Sequence, residues 1–151
     1  MKVLELKNAL IDDLKVCISY EPHKEYDLLC MMEQYLKSEN RRRRSLLPDI
    51  KNLLDDKPYQ NPFAINYPYC EHDIVLVERI LSDYITSMDC DGDHQLILCN
   101  TISQINELHD RCGNELIDEW RKPKLEELLI LTAKKSQLDT AASVVHQHKR
   151  W

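Results

Sequence analysis

Apolar residues recur along most of this chain three or four positions apart, the signature of helices that bury one stripe. They fall first at Val3, Leu6, Leu10, Leu14 and Cys17, and Pro22 closes that stretch. A second helix is predicted over 24–38, with Leu28, Leu29, Met32, Tyr35 and Leu36 facing inward. Ser45 suits the cap of a third, shorter helix carrying Leu46, Leu47, Ile50, Leu53 and Leu54, with Pro48 tolerated in its first turn. The clearest pattern covers 71–88, where Ile74, Val77, Leu81, Tyr84 and Met88 repeat in step, reinforced by Val75, Ile80 and Ile85. Leu98, Ile102, Ile105 and Leu108 stripe a helix over 93–110, and Gly113 is placed to stop it. A helix over 125–135 follows Pro123, and 138–148 adds another short helix or continues it. No run reads convincingly as a strand. The pattern therefore predicts an all-α fold, a single-domain bundle of about six helices over residues 1–151.

One long irregular stretch interrupts this regularity. Residues 55–70 hold Pro58, Pro62 and Pro68, and proline both fixes its own φ and restrains the residue before it. Tyr59, Phe63, Tyr67 and Tyr69 lie among them, four of the chain's ten aromatic residues. Such rings either pin the loop across the body or make it a recognition loop.

Composition narrows the chemistry. The chain has only two glycines, Gly92 and Gly113, which excludes glycine-rich phosphate-cradling loops. Its formal charge is −6, from 26 acidic and 20 basic residues, so its overall field does not draw nucleic acid and suits a basic protein partner. No stretch approaches the roughly 20 apolar residues of a membrane span. The charged, alternating start Met1-Lys2-Val3-Leu4-Glu5-Leu6-Lys7 reads as neither signal nor transit peptide, so no membrane partner and a cytoplasmic location are expected. The six cysteines form no Cys-x-x-Cys pair and are expected as reduced thiols, mostly buried.

Asp89-Cys90-Asp91-Gly92-Asp93 fails as a calcium loop: its glycine comes too early and Asn100 stands where a bidentate glutamate belongs. It reads instead as an acidic turn capping the next helix. Cys90, His94 and Cys99 lack a fourth zinc ligand at standard spacing, and His146 and His148 point to different sides of a helix. No nucleophile elbow or kinase signature occurs. No metal, cofactor or enzymatic activity is expected. The run Arg41 to Arg44 is the strongest local charge, either a grip for RNA or phosphate or a solvated helix end.

Residues 102–129 carry a further pattern: Ile105-Asn106-Glu107-Leu108, Cys112, Glu115-Leu116-Ile117-Asp118, Trp120-Arg121 and a closing amphipathic helix. It resembles small helical bacterial immunity-type proteins, which bind and neutralise a cognate toxin domain. The residues also have a plain structural reading: Ile105, Leu108, Cys112, Leu116 and Ile117 pack two helices across a link, Asn106 and Asp118 bond the link, and Trp120 lids it. The resemblance implies a stoichiometric inhibitor of a basic, nuclease-type toxin domain. Its binding face is expected among Tyr59, Tyr67, Tyr69, Glu71, Asp73, Asp89, Asp91 and Asp93, acids with aromatic anchors. The alternatives are a nucleic-acid-associated regulator using Arg41 to Arg44 and a small helical hydrolase with an acidic site. Val144, Val145 and Trp151 in the C-terminal tail offer a surface on which a homodimer could form.

Overall fold

The computed structural model describes residues 2–19, 24–59 and 68–151. Seven helices account for most of them: α1 (Lys2–Ser19), α2 (Lys24–Lys37), α3 (Asn40–Leu54), α4 (Glu71–Met88), α5 (His94–Arg111), α6 (Arg121–Lys135) and α7 (Ala141–His148). No strand occurs among the described residues, and the fold is all-α. Of the proline- and aromatic-rich stretch, Tyr67, Phe63 and Pro62 lie outside the described residues. The chain divides into two compact units, one of Met1–Ser19 with Tyr67–Trp151 and the other of Tyr20–Asn66.

The larger unit packs α1 against α4 and α6, α4 against α5, and α7 against α5 and α6. Its core contains every residue of the predicted α4 and α5 stripes, from Ile74 to Met88 and from Leu98 to Leu108. Each such side chain, fully buried, contributes about 1.5–3 kcal/mol. Tyr84 sits in this core and donates its hydroxyl to the Leu129 carbonyl at 2.7 Å. Polar caps fix the helix ends. Asp73 accepts from the Cys70 backbone N–H at 2.9 Å, and Asp93 accepts from that of Leu96 at 3.1 Å. Gly113 ends α5 with φ of 66°, the left-handed conformation predicted for it. Gln137, with φ of 62°, separates α6 from α7. Two expectations change here. Helix α6 begins four residues before Leu125, because Asp118 caps it by accepting from the backbone N–H groups of Trp120 (3.0 Å) and Arg121 (2.8 Å). Val144 and Val145 are buried, and Trp151 is half-buried against the core, so the surface offered for a homodimer is already covered within the chain.

The smaller unit is an antiparallel α2–α3 hairpin closed by a turn at Ser38 and Glu39. Met31, Leu46, Ile50 and Leu53 form its core, with Leu28, Tyr35 and Tyr59 packed against them. Tyr59 donates to Asp27 Oδ2 at 2.7 Å, which ties the chain leaving α3 back to α2 and pushes the phenol pKa up. Three predictions fail in this unit. Leu29, Met32 and Leu36 are exposed rather than inward, because α2 carries two adjacent apolar stripes and only one meets α3. Helix α3 starts at Asn40, so Ser45 is interior and donates to the Arg42 carbonyl at 2.8 Å instead of capping. Pro48 consequently lies mid-helix.

Candidate functional site

Helix α4 and the turn after it concentrate acid. Between Glu71 and Asp93 stand seven carboxylates and a single arginine, Arg79. Six of the seven are exposed: Glu71, Glu78, Asp83, Asp89, Asp91 and Asp93. Asp73 is the half-buried one, committed to the α4 cap and paired with Arg111 at 3.5 Å. Burial alone raises its pKa, but the Cys70 backbone N–H and the Arg111 guanidinium outweigh that and hold the carboxyl below its usual range. The larger unit as a whole has 18 acidic and 12 basic residues, the smaller eight of each, so the chain's net charge of −6 belongs to the larger unit.

Helix α4, at about 1.5 Å per residue, is roughly 27 Å long. Glu71 and Asp73 stand at its start, and Asp89, Asp91 and Asp93 at its far end. The predicted acids therefore form two clusters. Glu78 and Asp83, which no sequence motif marks, lie between them on α4. Asp83 borders an open groove of about 300 Å³ between α4 and α5, where Leu76, Ile80 and Leu108 supply apolar contact and Arg79, Arg111 and Glu107 the charged rim. Glu78 and Asp83 were legible only as the polar positions interleaving a strong apolar pattern.

The predicted aromatic anchors separate. Tyr69 is 5% exposed and takes a hydrogen bond from Arg121, so it belongs to the core and not to a contact face. Tyr59 belongs to the smaller unit, and Tyr67 lies outside the described residues. Trp120 is an exposed aromatic instead of a lid, with the Lys124 ammonium 3.5 Å from its ring centre.

Candidate metal and anion chemistry resolves into local structure. Among the described residues, no group of three or more His, Cys, Asp or Glu side chains converges as a metal site. His94 Nε2 lies 2.9 Å from the Cys90 carbonyl, so that pair meets through backbone. All six cysteines are free; Cys112 is buried, but Cys70 and Cys90 are exposed, against the expectation of mostly buried thiols. The arginine run falls in the opening turns of α3 rather than at a helix C-terminus of its own. Arg43 still serves such an end, since its Nε and Nη2 donate to the Tyr35 and Leu36 carbonyls of α2 at 2.9 and 3.0 Å.

The segment over 102–129 works as a frame. His109 is 3% exposed, and its Nδ1 accepts from the Ile117 backbone N–H at 3.2 Å. Burial lowers its pKa from the ordinary 6.5, with Asp110 pulling weakly the other way. The native state thus favours the neutral ring. Its stabilisation is fully present above the unfolded pKa and is lost as pH falls below it. Melting temperature should decline from pH about 6.5 downward, and His109→Gln, whose amide oxygen also accepts, should flatten that decline. Equal acid sensitivity of the two proteins would refute this role. Asn106 bonds not the link, as predicted, but the C-terminal tail, donating to the His148 carbonyl and accepting from the Arg150 N–H, each at 2.8 Å. Comparison with protein-family models, with curated proteins and with solved structures finds no match for this chain.

Proposed function

We propose that this chain is a non-catalytic protein-binding module, an immunity-type protein that holds and neutralises a basic, nuclease-type toxin domain. The observation that supports this reading is the run of six exposed carboxylates with one arginine along α4 and its following turn. A surface that grips nucleic acid is built from Lys and Arg. Carboxylates held on a well-packed helix complement such a surface, speed encounter and reject acidic partners. Blocking of this kind needs a fixed shape and charge but no reacting group. The frame that fixes the shape is the 102–129 segment, whose pattern resembles immunity-type proteins. Its residues support α5 and α6; the contacts fall to α4.

The test is capture of the full-length tagged protein from its native host at moderate salt, followed by assay of any stoichiometric partner with and without it. A basic partner whose nucleolytic activity is inhibited one-to-one is the expected result. Glu78→Gln/Asp83→Asn/Asp89→Asn/Asp91→Asn, which spares the capping residue Asp93, should then slow association at low salt by about tenfold or more. The melting temperature of that variant should be unchanged. Unaltered association would place the contact elsewhere, and a partner that is not inhibited would refute the inhibitor reading.

A further inference from the structure

Helices α4 and α5 run antiparallel across the short turn after Met88, and their packing has a definite register. Asp73 meets Arg111 at 3.5 Å, and Leu76 with Leu108, then Ile80 with Gln104, line one groove. Each step toward the start of α4 is thus matched by a step toward the end of α5. Carried past Asp73 and Arg111, this register brings two thiols to the same end of the pair: Cys70, the N-cap of α4, and Cys112, the C-cap of α5. At about 1.5 Å per residue, their offset along the helix axes is about 3 Å. The other cysteines are placed differently. Cys90 lies at the opposite end of α4, Cys99 in the first half of α5, and Cys30 in the smaller unit. Cys17 Sγ accepts from Arg121 Nη2 at 3.3 Å.

Asp73 ties the two sides together. Its carboxylate accepts from the Cys70 backbone N–H at 2.9 Å, lies within reach of the Cys70 thiol, and pairs with Arg111, the neighbour of Cys112. The thiols differ in access: Cys70 is exposed at the positive end of the α4 dipole, whereas Cys112 is 2% exposed. Burial pushes the Cys112 thiol pKa up; Asp73 and Cys70 add to this and Arg111 opposes them. An accessible thiol beside a buried one is the arrangement of a peroxide-reactive cysteine with its resolving partner. A shared metal ion is not favoured, since among the described residues no third ligand converges with the two.

We propose that Cys70 and Cys112 form an oxidisable pair, which hydrogen peroxide converts to a disulfide joining the start of α4 to the end of α5. The Cys70 thiolate attacks one peroxide oxygen; an S–O bond forms, the O–O bond breaks, and the departing hydroxide takes up the thiol proton as water. Cys70 is then a sulfenic acid, and its two electrons have reduced the peroxide. Cys112 Sγ attacks the Cys70 sulfur; the S–S bond forms, the S–O bond breaks, and hydroxide leaves with the Cys112 proton as a second water. A disulfide needs its Cα atoms within about 7 Å. Cys70 is extended backbone outside α4 proper, with φ of −124°, so it closes on Cys112 without unwinding the helix.

The test treats the reduced full-length chain, dilute and in native buffer, with hydrogen peroxide and then alkylates the remaining thiols. The expected product is a monomer lighter by two hydrogens, with two of the six cysteines refractory to alkylation and peptide mapping linking Cys70 to Cys112. Dithiothreitol should restore all six. Dimedone, which traps sulfenic acid, should label Cys70 at least about tenfold more in Cys112→Ala than in wild type, because nothing then resolves it. The wild-type map decides the matter even if Cys112→Ala, at a buried position, does not fold. A wild-type chain that accumulates sulfenic acid at Cys70 without a bond, or that does not react there, overturns the proposal. So does a disulfide from Cys70 to Cys17 or between two chains, since the packing of α4 on α5 would then not select the partner.

Discussion

Replacing Arg121 with methionine should destabilise the larger unit by about 3–5 kcal/mol, the usual result of breaking a buried ion pair from one side. Arg121 is 3% exposed, yet its guanidinium is fully engaged. Nε donates to Asp13 Oδ2 at 2.7 Å, Nη1 to the Leu116 carbonyl at 3.1 Å, and Nη2 to Tyr69 Oη at 3.2 Å and Cys17 Sγ at 3.3 Å. Its central carbon also lies 5.5 Å from the Tyr69 ring centre. Burial works against the charge, but Tyr69, Asp118 and Asp13 outweigh it and keep the group protonated. Methionine fills much of the volume and strands all four partners. Lysine keeps the charge but not the planar fork, so Arg121→Lys should fall between wild type and methionine. The measurement is urea unfolding followed by circular dichroism. Asp13→Leu in the methionine background should recover part of the loss, because it removes the stranded carboxylate. A loss under about 1 kcal/mol for methionine would show the network to be ornamental to stability.

Asn106→Leu should cost about 2–3 kcal/mol and loosen the C-terminus. The side chain is 4% exposed and reads both polarities of the tail, the His148 carbonyl and the Arg150 N–H. Leucine leaves both backbone groups unmet, at roughly 1–3 kcal/mol for each that stays buried. Water can reach the tail once it lifts, which keeps the total below the simple sum. Salt bridges from Lys149 to Glu126 and from Arg150 to Asp110, with Trp151 against the core, then hold the tail. Carboxypeptidase should remove Trp151 from the variant well before wild type, with its fluorescence shifting to the red beforehand. Equal digestion rates would mean that those two pairs and the Trp151 contact suffice.

The success of the helix assignment tracks how one-sided each helix is. In α4 the five residues of the main stripe are the five buried ones, while of the three that reinforce it Ile80 and Ile85 are partly buried and Val75 is exposed. In α2 the apolar residues cover two adjacent stripes, and only packing against α3 decides which is interior. Arginine ordinarily stays exposed, so nothing in composition marks Arg121 as the joint of the larger unit. The candidate acidic face was partly legible for a related reason. Asp89, Asp91 and Asp93 stand together in the sequence and in the fold, whereas Glu78 and Asp83 become a surface feature only once α4 has a defined inner face. Tyr69 misled because an aromatic beside prolines resembles a loop anchor, while its hydroxyl is needed inside by Arg121.

The pairing of α1 with α6 also sets an order of events during synthesis. Asp13 and Arg121 are separated by 108 residues, so α1 leaves the ribosome long before the helix it packs against. At roughly 5–20 residues per second, that interval lasts on the order of 5–20 s. Val3, Leu10, Ile11 and Leu14 have no native cover until α4 emerges and lack that of α6 for the whole of that time, whereas α2 and α3, adjacent in sequence, can pair at once. The nascent chain therefore presents a bare apolar helix followed by an already closed hairpin, and α1 is the segment a ribosome-associated chaperone would hold.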